Sequence, residues 1–269
     1  MPPQTTAQKA AVTSFVAITG TTERTASKYL KNASYKLNEA VDVFYQVNGG
    51  SRAASGSNSV TQLNQLFDSL RDEGEDSKDT LGADSAMRYL QSIGVGLEDA
   101  SLFLAVHLLQ APSIGEIPRD GFVNGWKDAG IEAKTEAQAA HLKYLAGLMT
   151  TERDLFRKVY RYVFVAGKEG DQRAISLEMA LLYWDTIFKK PGQSWAGPTT
   201  NWLNEWRTFL QDNWKRSVNR DMWNQTLEFA FKSMDDESLI FWNENGAWPG
   251  VIDDFVGWIQ RKRETNAGA

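Results

Sequence analysis

The chain contains no cysteine among its 269 residues. This excludes disulfides, zinc–thiolate sites and any mechanism in which the protein itself carries a thioester. An apolar run of 18 or more residues is also missing, which excludes a helical membrane span. Residues 1–9 lack the basic start and the apolar segment of a secretory signal. Together these absences predict a protein of the cytosol and nucleus that has no membrane partner.

Side chains suited to acid–base catalysis are scarce, because His107 and His141 are the only histidines. His107 lies in the apolar run of residues 102–109, a position typical of a packed core histidine rather than of a base or a metal ligand. His141, close to Lys143, is expected at the surface. No nucleophile elbow, phosphate-binding loop or dinucleotide fingerprint occurs. The sequence therefore predicts a non-catalytic protein that uses no cofactor.

Residues 60–93 have the order helix, acidic loop, helix, which raises the question of calcium binding. A calcium loop of the EF-hand type requires a glutamate at its twelfth position. A loop that starts at Asp72 has Ala83 there, and one that starts at Asp76 has Met87. We therefore expect helix pairs with the shape of EF-hands but without a metal. A degenerate calcium sensor is accordingly a disfavoured function.

Apolar residues recur at helical spacing along nearly the whole chain, and no segment keeps the period of two that a half-buried strand needs. The predicted fold class is therefore all-α. Residues 7–47 contain three short helices and form a small first domain. The composition N-G-G-S-R-A-A-S-G-S-N predicts a flexible linker over residues 48–58. A larger helical domain follows over residues 59–260, and residues 261–269 are expected to form a disordered tail.

Acidic side chains are concentrated near the end of the chain. Residues 221–255 carry eight acids and one base, a local balance of −7, whereas the net charge of the whole chain is −5. Nucleic acid binding rewards a basic face, so this segment argues against a nucleic acid partner. An acidic surface attracts a basic protein instead. We therefore expect a protein-binding surface in this segment.

Eight of the ten tryptophans lie within residues 195–258. Most of them are expected to fill the core of a helical bundle. Trp248 lies in the turn N-G-A-W-P-G, whose glycines and proline do not propagate a helix. It can staple this turn to the core and leave Ala247 exposed between acidic helices, as an interface requires. Spacing alone leaves this interpretation and a purely structural one equally open.

The segment E-N-G-A-W-P-G-V-I-D-D-F-V, residues 244–256, resembles the C-terminal signature of the defective-in-cullin-neddylation family, whose domain is called PONY. Three further segments match in order: S-L-E-M-A-L-L-Y-W (176–184), W-L-N-E-W (202–206) and K-R-S-V-N-R-D-M-W-N (215–224). The resemblance extends over about residues 60–258. Residues 7–47, with A-S-K-Y-L-K-N and L-N-E-A-V-D-V-F-Y, resemble the ubiquitin-associated (UBA) domain that some members carry at this position.

The resemblance implies a scaffold-type co-ligase rather than an enzyme. Such a scaffold holds a Nedd/Rub-charged conjugating enzyme against a cullin and its RING protein, so that the modifier passes to a cullin lysine. The thioester belongs to the conjugating enzyme, which agrees with the absence of cysteine here. The UBA-like residues 7–47 are expected to bind ubiquitin. The main alternative is a ubiquitin-receptor adaptor whose larger helical domain binds another basic protein.

Two sites follow from the resemblance. The cullin-binding patch of the family maps by motif onto Asp221, Ala247 and Asp253, which implies a basic cullin surface. Asp221 is also a candidate N-cap of its helix. The second site is an apolar pocket for the N-acetylated methionine and following helix of the conjugating enzyme, and acetylation suits it because it removes a charge that is costly to bury. By position, the pocket would draw on Leu102, Phe103, Ala105, Val106, Leu109 and Ile117, for each of which a place in the core is the competing interpretation.

Overall fold

The computed structural model describes residues 5–19, 21–48, 52–168 and 170–267. These residues form helices and two pairs of two-residue strands, which confirms the all-α prediction. The helices are α1 (Thr6–Thr19), α2 (Glu23–Asn32), α3 (Leu37–Asn48), α4 (Arg52–Leu70), α5 (Ala83–Ser92), α6 (Ala100–Leu108), α7 (Arg119–Ala129), α8 (Thr135–Met149), α9 (Arg153–Ala166), α10 (Leu177–Ile187), α11 (Trp202–Phe209), α12 (Arg220–Asp235) and α13 (Gly250–Ala267). The strands are β1 (Thr80–Leu81), β2 (Ile117–Pro118), β3 (Ala174–Ile175) and β4 (Val218–Asn219). None of the described helices is long and apolar enough to cross a membrane.

Helices α1, α2 and α3 pack around one small apolar core, as predicted for residues 7–47. Each helix contributes a fully buried side chain: Phe15, Leu30 and Ala40. The ring of Phe15 meets that of Phe44 edge-on, with centroids 5.5 Å apart. Helix α2 begins where the Thr22 hydroxyl accepts a hydrogen bond from the Thr25 amide at 3.4 Å, which satisfies one of the free amides of the first turn.

The predicted flexible linker is wrong for residues 52–58, which form the first turns of α4. Residues 49–51 of that linker lie outside the described residues. The glycine- and serine-rich composition makes helix nucleation unfavourable, but the same helix continues into the packed residues Leu63 and Phe67. Once packing has nucleated a helix, adding residues to its end costs little. Tertiary contacts therefore override the local composition.

The predicted disordered tail is wrong for residues 261–267, which continue α13, while residues 268 and 269 lie outside the described residues. The Lys262 ammonium bonds both carboxylate oxygens of Glu205 at 2.8 and 2.6 Å. The Arg263 guanidinium donates to the main-chain carbonyl of Glu237 at 2.9 Å. These contacts between residues distant in sequence stabilise the helical end.

Each short strand is followed directly by a helix, with at most one residue between the two elements. The two antiparallel pairs align Thr80 with Pro118 and Ala174 with Asn219. This arrangement gives helix pairs of the EF-hand-like shape that the sequence predicts. In the acidic loop before β1, the Asp76 carboxylate accepts hydrogen bonds from the amides of Asp72 and Gly82, each at 2.8 Å. Within the described chain, no group of three or more histidines or carboxylates is placed to hold a metal ion.

The chain divides into two compact units. The first comprises Met1–Val95, Leu108–Gln110 and Gly115–Leu145, and the second comprises Gly96–His107, Ala111–Ile114 and Ala146–Ala269. The bundle of α1 to α3 therefore shares a unit with α4, α5 and α7. The second unit holds α9 to α13.

A chain of buried hydrogen bonds joins α5, α7 and α8 in the first unit. The Trp126 indole donates to the Tyr89 hydroxyl at 2.9 Å, and that hydroxyl donates to the side-chain oxygen of Gln138 at 2.8 Å. All three side chains are buried. An unpartnered buried polar group is costly, so these bonds specify how the three helices pack.

Helix α8 carries two aromatic side chains that sequence spacing does not place. Tyr144 packs against the core of the α1–α3 bundle and donates a hydrogen bond to the Asn38 side chain at 2.7 Å. One turn earlier, His141 is only 9% exposed, so the expectation of a surface histidine is wrong. Its ring centroid lies 6.3 Å from that of Trp126. Burial lowers the pKa of His141 to about 4, which keeps the imidazole neutral near pH 7.

The core of the second unit contains many tryptophans, though fewer than predicted. Of the eight within residues 195–258, four are fully buried: Trp195, Trp202, Trp206 and Trp223. The other four keep part of their surface exposed: Trp214, Trp242, Trp248 and Trp258. The spacing of tryptophans along a helix indicates which face of the helix is apolar. It does not determine how much of each large ring is covered by neighbouring helices.

Tyr160 of α9 is the centre of this aromatic core. Its hydroxyl accepts a hydrogen bond from the Trp184 indole at 2.7 Å and donates one to the main-chain carbonyl of Trp223 at 2.8 Å. The Trp223 indole donates in return to the main-chain carbonyl of Tyr160 at 2.9 Å. The rings also stack, with centroids 4.6 Å apart for Tyr160 and Trp223, and 5.1 Å apart for Trp184 and Trp223. This cluster joins α9, α10 and α12.

We expect Tyr160→Phe to lower the free energy of unfolding by about 2–4 kcal/mol, because two buried groups lose their hydrogen-bond partner at once. Urea denaturation followed by tryptophan fluorescence measures this change. The matched control is Tyr162→Phe on the same helix, which removes one bond, at 3.1 Å, from a half-buried hydroxyl to the Ala111 carbonyl. Its expected cost is about 1 kcal/mol. Equal losses for the two variants would contradict this account of the core.

The pKa of His141 predicts a pH dependence of stability. Because the folded pKa (about 4) lies below the ordinary value of 6.5, the unfolded chain binds more protons between these two pH values. The stabilisation is fully present above pH 6.5 and is lost as the pH falls through 4, and the total loss is roughly 3 kcal/mol. His141→Leu should flatten this part of the curve of unfolding free energy against pH, whereas His107→Leu should change it less. A His141→Leu curve parallel to that of the unsubstituted protein would disprove the assignment.

Candidate functional site

Asp221 lies in the first turn of α12 with its side chain exposed. The N-cap is Asn219, whose side chain accepts a hydrogen bond from the Met222 amide at 2.8 Å, so the prediction of Asp221 as a cap is wrong. Within the described chain, the Asp221 carboxylate forms no hydrogen bond or ion pair with another residue. The helix dipole favours an acidic group at this position. Asp221 therefore presents an unneutralised charge to solvent.

The backbone around Asp221 is held in place by Trp223, two residues later. Trp223 is fully buried and forms the reciprocal hydrogen bonds with Tyr160 described above. A charge on the first turn of a helix that is fixed this way has little freedom to reorient. This limits the ordering cost when a partner binds.

The turn that contains Ala247 is stapled to the core by Trp248, as predicted. The Trp248 ring meets that of Phe229 at 5.9 Å, nearly perpendicular, and that of Phe241 at 6.2 Å. Ala247 itself is exposed. The small side chain leaves open space above a fixed turn, so a partner can approach the main chain closely. Its role in binding stays a prediction.

Asp253 lies in the first turn of α13 and differs from its neighbour Asp254. One carboxylate oxygen of Asp253 accepts a hydrogen bond from the Trp242 indole at 2.8 Å. Asp254 is exposed and forms no such bond to the described residues. Sequence reasoning missed Trp242, because eleven residues and a turn separate it from Asp253 and no helical spacing relates the two.

Arginines of α9 neutralise part of the acidic segment. The Arg153 guanidinium forms two hydrogen bonds with the Asp235 carboxylate, at 2.6 and 2.8 Å, and thereby lowers the pKa of Asp235. Glu228 accepts from Arg157 at 3.0 Å and from Arg161 at 3.3 Å. The local balance of −7 therefore overstates the charge that a partner meets. Among the described residues, Asp221 at the start of α12, Glu244 in the turn and Asp254 at the start of α13 form no ion pair of this kind.

The six residues assigned to the apolar pocket are distributed over both compact units. Leu102 and Val106, one turn apart on α6, belong to a small apolar cluster whose other members are Ala111, Ile114, Tyr162 and Ala166. Phe103 packs edge-on against Tyr183 at 5.7 Å, and Ala105 is fully buried. Leu109 and Ile117 are buried residues of the first compact unit. The structure thus brings Leu102 and Val106 together, and of the six residues Leu102 is partly exposed while the others are buried. The pocket stays a prediction.

Four members of this cluster were missed from the sequence: Ala111, Ile114, Tyr162 and Ala166. Ala111 and Ile114 follow α6 in a loop without periodicity, so spacing gives no signal for them. Tyr162 is held by the hydrogen bond from its hydroxyl to the Ala111 carbonyl. It also lies edge-on to His107, with centroids 5.4 Å apart. Burial, and secondly the charge of Lys158, lowers the pKa of His107, which favours its neutral form near pH 7. The side chain is packed against Tyr162 but is only partly buried, so it is less enclosed than the predicted core histidine.

Comparisons with known proteins give the chain a family. A family profile described as cullin binding matches residues 137–258, and one described as a UBA-like domain matches residues 9–51. The chain is 41% identical over 270 residues to the protein named defective in cullin neddylation protein 1 of Pyricularia oryzae, an alignment that covers 97% of this chain and 95% of the relative. Proteins of the same name from Eremothecium gossypii and Yarrowia lipolytica are 29% and 28% identical, over 96% and 90% of this chain and 98% and 92% of the relatives.

Proposed function

Because the chain belongs to the defective-in-cullin-neddylation family, we propose that it is a scaffold-type co-ligase for cullin neddylation. In this role it binds a cullin and a conjugating enzyme charged with the Nedd/Rub modifier, together with the RING protein of the cullin. The observation that carries the proposal is that Asp221 at the start of α12 and Ala247 in the following turn are exposed, and that Asp253 at the start of α13 is partly exposed. All three lie inside the region that matches the cullin-binding profile, and each is held by a packed aromatic side chain nearby.

The partner surface on the cullin is basic. Asp221 offers a carboxylate at a helix N-terminus that has no partner among the described residues, and Asp253 offers the carboxylate oxygen that Trp242 does not bond. Opposite charge across an interface steers association and selects the partner. Ala247 is exposed and small, which admits close approach.

The scaffold contributes proximity and orientation rather than chemistry. Holding two reactants in the correct geometry lowers the barrier of a bimolecular transfer, in favourable cases by several kcal/mol. The thioester is carried by the conjugating enzyme, and the nucleophile is a lysine of the cullin. A chain with no cysteine can perform this role, because it never receives the modifier.

The conjugating enzyme is bound through its acetylated N-terminus. The partly exposed members of the cluster, Leu102, Ile114 and Tyr162, supply apolar surface for this contact. Phe103, Ala105, Leu109 and Ile117, which the same prediction assigns to the pocket, are buried. A free N-terminal ammonium would lose its hydration on entering such a site, which acetylation avoids.

The α1–α3 bundle binds ubiquitin, a function supported by the UBA-like match over residues 9–51. The protein works in the cytosol and nucleus, in keeping with the compartments expected for a chain without cysteine.

Replacing both carboxylates by amides tests the cullin surface. We expect Asp221→Asn combined with Asp253→Asn to weaken binding to a cullin C-terminal domain roughly 100-fold, because two charged contacts are lost. Asparagine keeps the oxygen that accepts from Trp242, so the fold is preserved. The matched control, Asp254→Asn, should change the dissociation constant by less than about threefold. Unchanged binding by the double variant in calorimetric titration would exclude this surface as the cullin site.

Acetylation dependence tests the pocket. We expect an acetylated N-terminal peptide of the conjugating enzyme to bind at least about tenfold more tightly than the free-amine peptide, because the free amine carries a charge. Leu102→Asn should abolish the preference. The control is Val43→Asn, an exposed apolar residue of α3, which should leave it intact. Equal affinities for the two peptides would refute the proposed pocket.

A further inference from the structure

The loop between α12 and α13 exposes one aliphatic side chain that no function described so far uses. Ile240 is 84% exposed. The other large apolar residues at the surface of the described chain are covered to about half or more, with exposures from 40% for Val165 to 53% for Leu182. Single exposed apolar residues are common, so exposure alone is not evidence of a binding site. The surroundings of Ile240 distinguish it.

The main chain on both sides of Ile240 is fixed. The Asp236 carboxylate accepts a hydrogen bond from the Ser238 amide at 2.9 Å. Leu239 is buried and adopts a left-handed conformation, with φ of 61°, that is uncommon for a leucine. Its burial in the core holds the turn that directs the next side chain into solvent. Phe241 follows and packs against the ring of Phe229 at 5.6 Å.

Two further contacts anchor the loop to neighbouring segments. The Glu237 carboxylate accepts hydrogen bonds from the amides of Thr199 and Thr200, at 3.1 and 2.8 Å. At the other end, Trp242 donates its indole hydrogen to Asp253, which is one of the proposed cullin-binding residues. Ile240 is therefore presented by a rigid loop that is continuous with the proposed interface.

The surface around Ile240 has the composition of an interface. Phe241, Trp242, Trp248 and Pro249 keep part of their apolar surface exposed, and Ala247 is exposed. Acidic side chains lie in the same segment of the chain: Asp236 is partly exposed and Glu244 is exposed. An apolar and aromatic centre with a polar rim is the usual anatomy of a protein–protein contact. A rigidly held aliphatic side chain in such a centre is suited to act as an anchor.

We infer that Ile240 is an apolar anchor for the same basic partner that Asp221, Ala247 and Asp253 bind, and that it inserts into an apolar recess bordered by lysine or arginine side chains. This inference rests on the proposed function. The acidic rim selects the occupant: a second copy of this chain would bring like charges together, and an anionic lipid surface would be repelled. A cullin surface with basic side chains around an apolar recess would match both the acidic rim and the apolar centre.

The test measures the dissociation constant of the full chain for a cullin C-terminal domain at several salt concentrations. Ile240→Ser should weaken binding roughly tenfold, as expected from the loss of one buried aliphatic side chain. The slope of affinity against salt should stay unchanged, since no charge is removed. Ile240→Leu should restore affinity to within about twofold. The control Leu182→Ser, at an exposed leucine of the same compact unit, should leave the affinity unaltered.

The outcomes separate the two proposals. If the Asp221/Asp253 double variant loses binding while Ile240→Ser binds as tightly as the unsubstituted chain, the anchor is overturned and the scaffold function stands. If the unsubstituted chain does not bind the cullin domain, both are overturned. Thermal melting of each variant controls for folding, and the exposure of Ile240 predicts an unchanged melting temperature for Ile240→Ser.

Discussion

The contact between Tyr160 and Trp223 determines where the acidic surface of this protein lies. The Tyr160 hydroxyl donates a hydrogen bond to the main-chain carbonyl of Trp223, and the Trp223 indole donates one to the main-chain carbonyl of Tyr160. The buried ring of Trp223 stacks on the rings of Tyr160 and Trp184. Burial raises the pKa of the Tyr160 hydroxyl, which therefore stays protonated and able to donate. Since Trp223 lies one turn inside α12, this contact also fixes the first turn of that helix. Asp221 owes its orientation to a core that it does not itself enter.

A second hydrogen bond, from Trp242 to Asp253, performs the same task for α13. One oxygen of the Asp253 carboxylate accepts this bond, which fixes the orientation of the side chain. Tyr160 and Trp223 are buried and contribute to global stability, whereas Trp242 is half-buried and mainly orders the loop that carries Ile240. Both contacts order side chains of the proposed cullin-binding surface in advance, which keeps the ordering cost of the proposed contact small.

Much of the fold could be predicted from local pattern. Helical spacing identified the three-helix bundle, and the turn chemistry of N-G-A-W-P-G placed Trp248 against the core. Predictions failed where distant residues decide the outcome. His141 is buried because α7 brings Trp126 to that face of α8, and residues 261–267 are helical because Glu205 and Glu237 hold their basic side chains. The apolar cluster around Leu102 and Val106 also contains Ile114 and Tyr162, which come from a loop and from another helix, so helical spacing gives no signal for them.

The sequence by itself determined three features of this protein: its helical character, its lack of cysteine, and the concentration of tryptophans and carboxylates towards the C-terminus. Composition and periodicity are properties of the chain alone and do not depend on which residues meet in the fold. Tertiary structure alone decided which of those charges remain available. Glu228 and Asp235 are paired with arginines of α9, more than sixty residues away in the chain, while Asp221 forms no ion pair with any described residue. Charges along a chain simply add, but the charge that a partner meets depends on distances between side chains, and only the folded core sets those distances.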